Sequence, residues 1–302
     1  MNIPSASSLE KITAIRTGTL IDSLSGIGGF PRGRMTEIFG DEAVGKSTLC
    51  MQAIAQAQQD GLTCLWADVE FSYTTLYGEQ LGINNDTLGL IRSQHAEDVL
   101  DTLQEAIESG AYDLVILDSI GGLHPRAEAE KTSGEKTIGG QAGLMARFCR
   151  KIIPIISMKN VALVVINHSF VDIMSGRIMT SGGRKLAYHK KMSIRLKSTG
   201  KYGKSGEVVI SKIIMGIVKK NALAPTEGRE ETAELVYGKG FSLQAKLLEM
   251  AIDAGIIVKV SNSYLFQGEK LGVGLTKTRQ AIEGNEDLAD KIKDELEKRQ
   301  EV

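Results

Sequence analysis

The sequence predicts an α/β protein: a mostly parallel sheet with helices on both faces, followed by a small α+β carboxy-terminal domain. Three observations predict it. Gly40-Asp41-Glu42-Ala43-Val44-Gly45-Lys46-Ser47-Thr48 is a GxxxxGK[ST] loop set between an apolar run and a helical one. Short apolar, β-branched runs alternate with helical periodicity along most of the chain. Near Phe241 the alternation gives way to a helix-rich pattern that ends in a charged helix.

Taken in order, strands are expected at Met35–Phe39, Thr63–Ala67, Leu88–Ile91, Leu114–Leu117 and Val161–Ile166, each too short and too β-branched for a helix. Leu49–Gln59, Ala96–Ser109 and Gly143–Met158 carry the helical period between them. Met192–Leu196 and Val208–Val218, with a Gly/Lys turn over Ser198–Gly206, read as an antiparallel extension of the sheet. The end of the chain is expected to form a helix at Leu243–Ala254, a hairpin within Ile256–Phe266 and a solvated helix at Leu288–Arg299. These runs divide the chain into a short amino-terminal segment (1–30), a core (31–240) and a carboxy-terminal domain (241–302).

Composition narrows the function. The 302 residues are 24% charged with a formal net charge of −1, so any nucleic-acid contact must come from a local patch rather than a global basic field. The three cysteines, Cys50, Cys64 and Cys149, sit apart in apolar runs without metal-ligand spacing and read as buried thiols of a reducing compartment. With neither a secretory pattern nor a long apolar stretch, a cytoplasmic protein without a membrane segment is expected.

The glycines of the loop let backbone N–H groups close around a β-phosphate, Lys46 reaches the β/γ oxygens, and the Ser47 hydroxyl ligates Mg²⁺. The helix that follows adds its positive end to the same anion. Asp113-Leu114-Val115-Ile116-Leu117-Asp118-Ser119 is an apolar strand ending in an acid, and Asp118 is the expected metal-side carboxylate. Thr63–Ala67 ends in Asp68-Val69-Glu70, of which one acid would orient a water for attack on the γ-phosphate. Glu70 has the longer reach, although spacing alone does not separate it from a surface acid.

Further motifs make the chain resemble the RecA-type DNA recombinases over nearly its whole length. They are Gly29-Phe30-Pro31-Arg32-Gly33-Arg34, Asp68-Val69-Glu70, Leu76-Tyr77, Leu117-Asp118-Ser119, His124-Pro125-Arg126-Ala127-Glu128, Ile166-Asn167, Gly182-Gly183, Tyr237-Gly238-Lys239-Gly240 and Gly268-Glu269-Lys270-Leu271-Gly272. The resemblance implies a RecA-like ATPase core using ATP and Mg²⁺, a helical homo-oligomeric filament on single-stranded DNA, and pairing of that strand with homologous duplex DNA. It implies that Glu70 activates water, that Tyr77 stacks on adenine, and that Lys219 reaches the γ-phosphate from a neighbouring subunit.

The resemblance also implies two DNA-binding loops, at Glu130–Ile138 and Ser169–Ser181. The second is unusually apolar, which suits Phe170, Ile178 and Met179 to contact with bases. It leads through Gly182 and Gly183 to Arg184 and Lys185, and with Arg150 and Arg177 these cations would meet phosphates. The chain departs from the family pattern in several places. His168 stands where the family has a γ-phosphate-sensing glutamine; histidine donates a hydrogen bond but changes charge near neutral pH, so a pH-sensitive DNA affinity is expected. Asn221 replaces a second cross-subunit lysine, with Lys220 as its expected substitute, and Thr74 replaces the acid at the adenine edge. Most of the family's amino-terminal docking segment is expected to be missing, with Met1–Ile12 as its remnant, so an accessory or regulatory ATPase that binds DNA or a recombinase without long filaments stands as the alternative; no acidic tail is expected after the carboxy-terminal domain.

Overall fold

The computed structural model describes residues 11–93, 95–126, 140–173, 176–205, 208–242 and 244–300. The expected first DNA-binding loop, Glu130–Ile138, and Met174 and Ser175 of the second lie outside the described residues. The elements, in chain order, are β1 (Ala14–Ile15), α1 (Leu20–Ser25), β2 (Phe30–Pro31), β3 (Met35–Gly40), α2 (Lys46–Gln59), β4 (Cys64–Asp68), α3 (Thr75–Gln80), β5 (Leu88–Ile91), α4 (Ala96–Ser109) and β6 (Leu114–Asp118). They continue with α5 (Gly140–Lys159), β7 (Ala162–Val171), β8 (Ile178–Thr180), α6 (Gly183–His189), β9 (Met192–Ser205), β10 (Val208–Asn221), β11 (Glu230–Val236) and β12 (Gly240–Ser242). The last are α7 (Gln244–Asp253), β13 (Ile257–Val260), β14 (Ser263–Phe266), β15 (Glu269–Val273), α8 (Gly274–Glu283) and α9 (Glu286–Gln300).

The central sheet runs β12-β11-β10-β9-β3-β7-β6-β4-β5. From β9 to β5 every pairing is parallel, and from β9 through β12 every pairing is antiparallel. Alternation along the inner strands feeds two cores. Leu114, Ile116, Val164 and Ile166 pack with α2 residues on one face; Val115, Leu117, Leu163 and Val165 pack with α4 and α5 residues on the other. Helix α4 shows why periodicity placed it correctly: Ala96, Val99, Leu100, Leu103 and Ile107 form one buried stripe, and Gly110 ends the helix in the left-handed conformation.

The structure corrects the expectation in three places. Met192–Leu196 belongs to the parallel sheet, because β9 lies beside β3 in parallel register, and only its other edge begins the antiparallel extension. The expected turn at Ser198–Gly206 is strand as far as Ser205; register shifts against β10 absorb the Gly- and Lys-rich sequence that looked like a turn. In the carboxy-terminal domain the hairpin is a three-stranded sheet, β13-β14-β15, and α8 follows it, packed with α7 and α9 around Leu248, Ile257 and Ile292. Among the described residues no helix is long and apolar enough to cross a membrane.

Candidate nucleotide site

The parallel register brings the carboxyl ends of β3, β4, β6 and β7 together, with Gly40 opposite His168 and Asp68 opposite Asp118. The phosphate loop leaves β3 here and enters α2. Its two outer glycines are required by close packing: a Cβ on Gly40 would lie 2.2 Å from the Leu196 carbonyl oxygen, and one on Gly45 2.6 Å from Leu235 Cδ2. Gly45 also holds a left-handed φ of 89°. Thus β9 and β11, distant in sequence, close over the loop.

Within the loop, Lys46 is buried and its Nζ donates to the carbonyls of Gly40 (3.1 Å) and Asp41 (2.8 Å). Burial lowers its pKa, opposed by the carboxylates of Asp118, Glu70, Asp41 and Glu42. A cation satisfied by two neutral carbonyls is free to exchange them for phosphate oxygens. The Ser47 hydroxyl hydrogen-bonds the Asp118 carboxylate, whose Oδ2 is buried without a hydrogen-bond partner. An orphaned carboxylate oxygen beside a serine hydroxyl fits a hard divalent cation.

Burial, against the Ser47 hydrogen bond and reinforced by Glu70 and Asp68, pushes the Asp118 carboxyl up to about 6. Because this pKa is raised on folding, the contribution to stability is present at low pH and is lost as pH rises through about 6. Asp118→Asn is therefore expected to raise the Tm of nucleotide-free protein by a few degrees at pH 7–8, with the gap narrowing as pH is lowered through about 6, while metal-dependent nucleotide binding is lost. Thermal melts across that range check it; a Tm gap independent of pH would remove the electrostatic explanation.

The two acids after β4 are separated by their partners. Asp68 is fully buried and accepts from Arg92 Nε (2.9 Å) and Nη2 (2.7 Å), Ser72 N (2.9 Å) and Tyr73 N (3.1 Å), so it builds the turn. Glu70 faces the cavity, where its Oε1 accepts from the Ser119 hydroxyl and lies 3.1 Å from His168 Nε2. The aromatic Phe71 follows at a left-handed φ of 55°, with Arg92 5.9 Å over its ring. A non-glycine residue held in that region marks a turn fixed by its surroundings.

A cavity of about 520 Å³ joins these groups. Of the residues expected at the nucleotide, Glu42, Ala43, Gly45, Lys46, Ser47, Thr48, Glu70, Tyr77, Asp118 and His168 line it. Tyr77 OH lies 3.0 Å from Thr48 Oγ1. Gly40, Asp41 and Val44 support the loop from outside the cavity wall. Ser72, Lys212, Leu235, Val236, Tyr237 and Gly238 also line it, and sequence reasoning assigned none of them to the nucleotide. Of these, only Tyr237 and Gly238 belong to a motif visible in the sequence, and it does not say where it folds.

Lys219 is exposed on β10 and is not part of this cavity. Beside it, Lys220 Nζ donates to the Ala187 carbonyl (2.9 Å) at the end of α6. Asn221 is structural as well, donating to the Ser25 carbonyl and to Thr226 Oγ1 at 2.8 Å each.

The expected second DNA-binding loop is largely a β-hairpin. β7 runs on to Val171 and pairs antiparallel with β8, setting Phe170 opposite Met179 and Val171 opposite Ile178. Ladder hydrogen bonds satisfy a backbone that composition alone could not place. Phe170, Val171, Ile173, Ile178 and Met179 are all exposed. The base of the hairpin is tied to the nucleotide site: Ser169 Oγ donates to Asp41 Oδ1 at 2.6 Å, next to the His168–Glu70 contact. Asn167 pins the returning strand, donating to the Ser181 carbonyl (2.9 Å) and accepting from Ser181 N (3.2 Å). Gly182 and Gly183, both at positive φ, turn the chain into α6, where Arg184 and Lys185 are exposed. Arg177 lies beside β8, and Arg150 is exposed on α5, a separate element.

A doubly wound sheet, a phosphate loop running into a helix, and a strand-end acid bonded to the loop serine define a P-loop nucleotide-binding protein. Its family follows from comparison with known proteins. The chain matches the RecA N-terminal domain over residues 1–242 and the RecA C-terminal domain over residues 245–300. It is 34% identical over 294 residues to Protein RecA of Xylella fastidiosa (strain 9a5c), covering 95% of this chain and 84% of that protein. It is 35% identical over 301 residues to Protein RecA of Deinococcus radiodurans, covering 98% and 82%. The crystal structure of the RadB recombinase shares the fold, with a TM-score of 0.57 at 23% identity over 75% of this chain and 98% of that one. The chain belongs to the RecA family: it is a RecA-type recombinase and a nucleotide-hydrolysing enzyme.

Proposed function

We propose that the chain, holding ATP and Mg²⁺ at the phosphate loop, assembles as a helical filament on single-stranded DNA and pairs the bound strand with homologous duplex, hydrolysing ATP in a DNA-dependent way. Residues 31–240 form the ATPase core of that assembly, 1–30 its amino-terminal segment and 241–302 its carboxy-terminal domain. The observation that carries this reading is an exposed apolar hairpin whose first residue, Ser169, and the residue before it, His168, are hydrogen-bonded to the nucleotide site, through Ser169–Asp41 and His168–Glu70.

Ser47 and Asp118 would hold the metal, whose charge offsets that of the β- and γ-phosphate oxygens when bound. Lys46 leaves the Gly40 and Asp41 carbonyls for the phosphates. That exchange frees the backbone of the same aspartate whose side chain holds Ser169, so the hairpin base registers the occupant of the loop. Glu70 orients the attacking water, and Tyr77 stacks on the base. Exposed Lys219 reaches the nucleotide of the adjoining subunit, which makes hydrolysis depend on docking.

Phe170, Ile178 and Met179 contact unpaired bases, which removes exposed apolar surface from water without sequence preference. Arg150, Arg177, Arg184 and Lys185 meet phosphates, and Gly182-Gly183 lets the hairpin adjust against α6. Replacing Arg177 and Arg184 together by Ala is expected to weaken binding equally across sequences and to flatten the dependence of log K on log salt by about one to two units. Titrations of oligonucleotides over a range of salt test this, and an unaltered slope rejects the phosphate contacts.

A further inference from the structure

We infer that Lys212 is a second cation of the chain's own nucleotide pocket, one that sets affinity for the diphosphate part of the nucleotide rather than the rate of hydrolysis. The inference rests on the nucleotide-binding reading of the cavity given above. Lys212 projects from β10, and its Nζ donates to the Ala43 carbonyl in the phosphate loop and lies 5.7 Å from the centre of the Tyr237 ring. All three residues line the cavity. Ala43 is itself left-handed, with a φ of 56°, so its carbonyl is turned out of the usual path of the chain.

The partners of this ammonium are a neutral carbonyl and a ring face. Both bind a cation weakly compared with a phosphate oxygen, and an ammonium has three protons to give. The position also separates Lys212 from the chemistry. Lys46 feels Asp118, Glu70, Asp41 and Glu42, whereas burial alone accounts for the lowered pKa of Lys212. Glu70 is engaged on its own side of the cavity by Ser119 and His168. A cation beside Ala43 and Tyr237, apart from the group that orients the water, attracts ground state and transition state alike. Such uniform attraction appears in KM and in the affinity for product, with little effect on kcat.

The rival role is that of a donor that merely pins the Ala43 turn. Three substitutions separate the two. Lys212→Gln keeps a donor and loses the charge, Lys212→Met loses both, and Lys212→Arg keeps both. Binding of MgATP and MgADP to the full-length chain, together with steady-state hydrolysis, is the measurement. Gln and Met are each expected to weaken ATP and ADP by similar factors, about 5- to 30-fold, with kcat changing less than about threefold and Arg restoring affinity to within about threefold. Wild-type affinity in Lys212→Gln, or a loss confined to ATP, would overturn the assignment. Wild-type protein that bound neither nucleotide would instead overturn the pocket reading on which it rests.

Discussion

Glu70→Gln is expected to slow ATP hydrolysis about 10²- to 10⁴-fold while leaving ATP binding intact and holding the protein on single-stranded DNA. The size follows from what is removed. Phosphoryl transfer leaves the protein little covalent chemistry, so a carboxylate that orients and deprotonates the attacking water supplies much of its contribution. Glutamine keeps the shape and one carbonyl oxygen, so the Ser119 hydroxyl retains an acceptor and the turn through Phe71 need not move. Lys46, Ser47 and Asp118 are untouched, so the phosphates and metal keep their contacts. On the function proposed above, hydrolysis ends the DNA-bound state, so a variant that binds without turnover stays in it. Single-turnover hydrolysis combined with DNA dissociation rates is the check, and unchanged turnover would exclude Glu70 from the reaction.

Lys46→Ala is expected to weaken ATP binding about 10- to 100-fold and to abolish the increase in DNA affinity that ATP brings. Two effects combine. The phosphates lose their main cation in the loop, and the Gly40 and Asp41 carbonyls lose the donor that occupies them. Because Asp41 also carries the contact to Ser169, the hairpin is cut off from the occupant of the loop. Wild-type ATP affinity in Lys46→Ala would count against the whole assignment of the loop.

These expectations show which parts of the molecule were legible from sequence. The phosphate loop, the strand carrying Asp118 and helices such as α4 are local: period, cap and motif lie within some fifteen consecutive residues, so physics acting along the chain specifies them. The parallel placement of β9 was not legible, because a strand of that composition satisfies either neighbour and only β3 beside it decides. Reach and the family resemblance favour Glu70 over Asp68, but what fixes Asp68 in the turn is Arg92, just past β5, which no local pattern pairs with it. Lys212, Tyr237 and Gly238 reach the cavity from an antiparallel extension far along the chain, and nothing local marks a lysine on a strand as facing a phosphate loop. The apolar Ser169–Ser181 segment was noticed for its composition, but its pairing into a hairpin depends on register, which composition does not carry.

The hairpin and the nucleotide pocket are joined by His168–Glu70 and Ser169–Asp41, and the proposal stands on that junction transmitting occupancy in both directions. Thermodynamic linkage requires that if ATP tightens DNA, DNA must tighten ATP by the same factor. The most direct measurement is the rate of ATP hydrolysis by wild-type protein with and without single-stranded oligonucleotide, with electron microscopy of the same mixtures. Hydrolysis that rises when the oligonucleotide is added, together with helical filaments, is the expected result. One rate with or without DNA, from particles that never grow beyond single subunits, would contradict it.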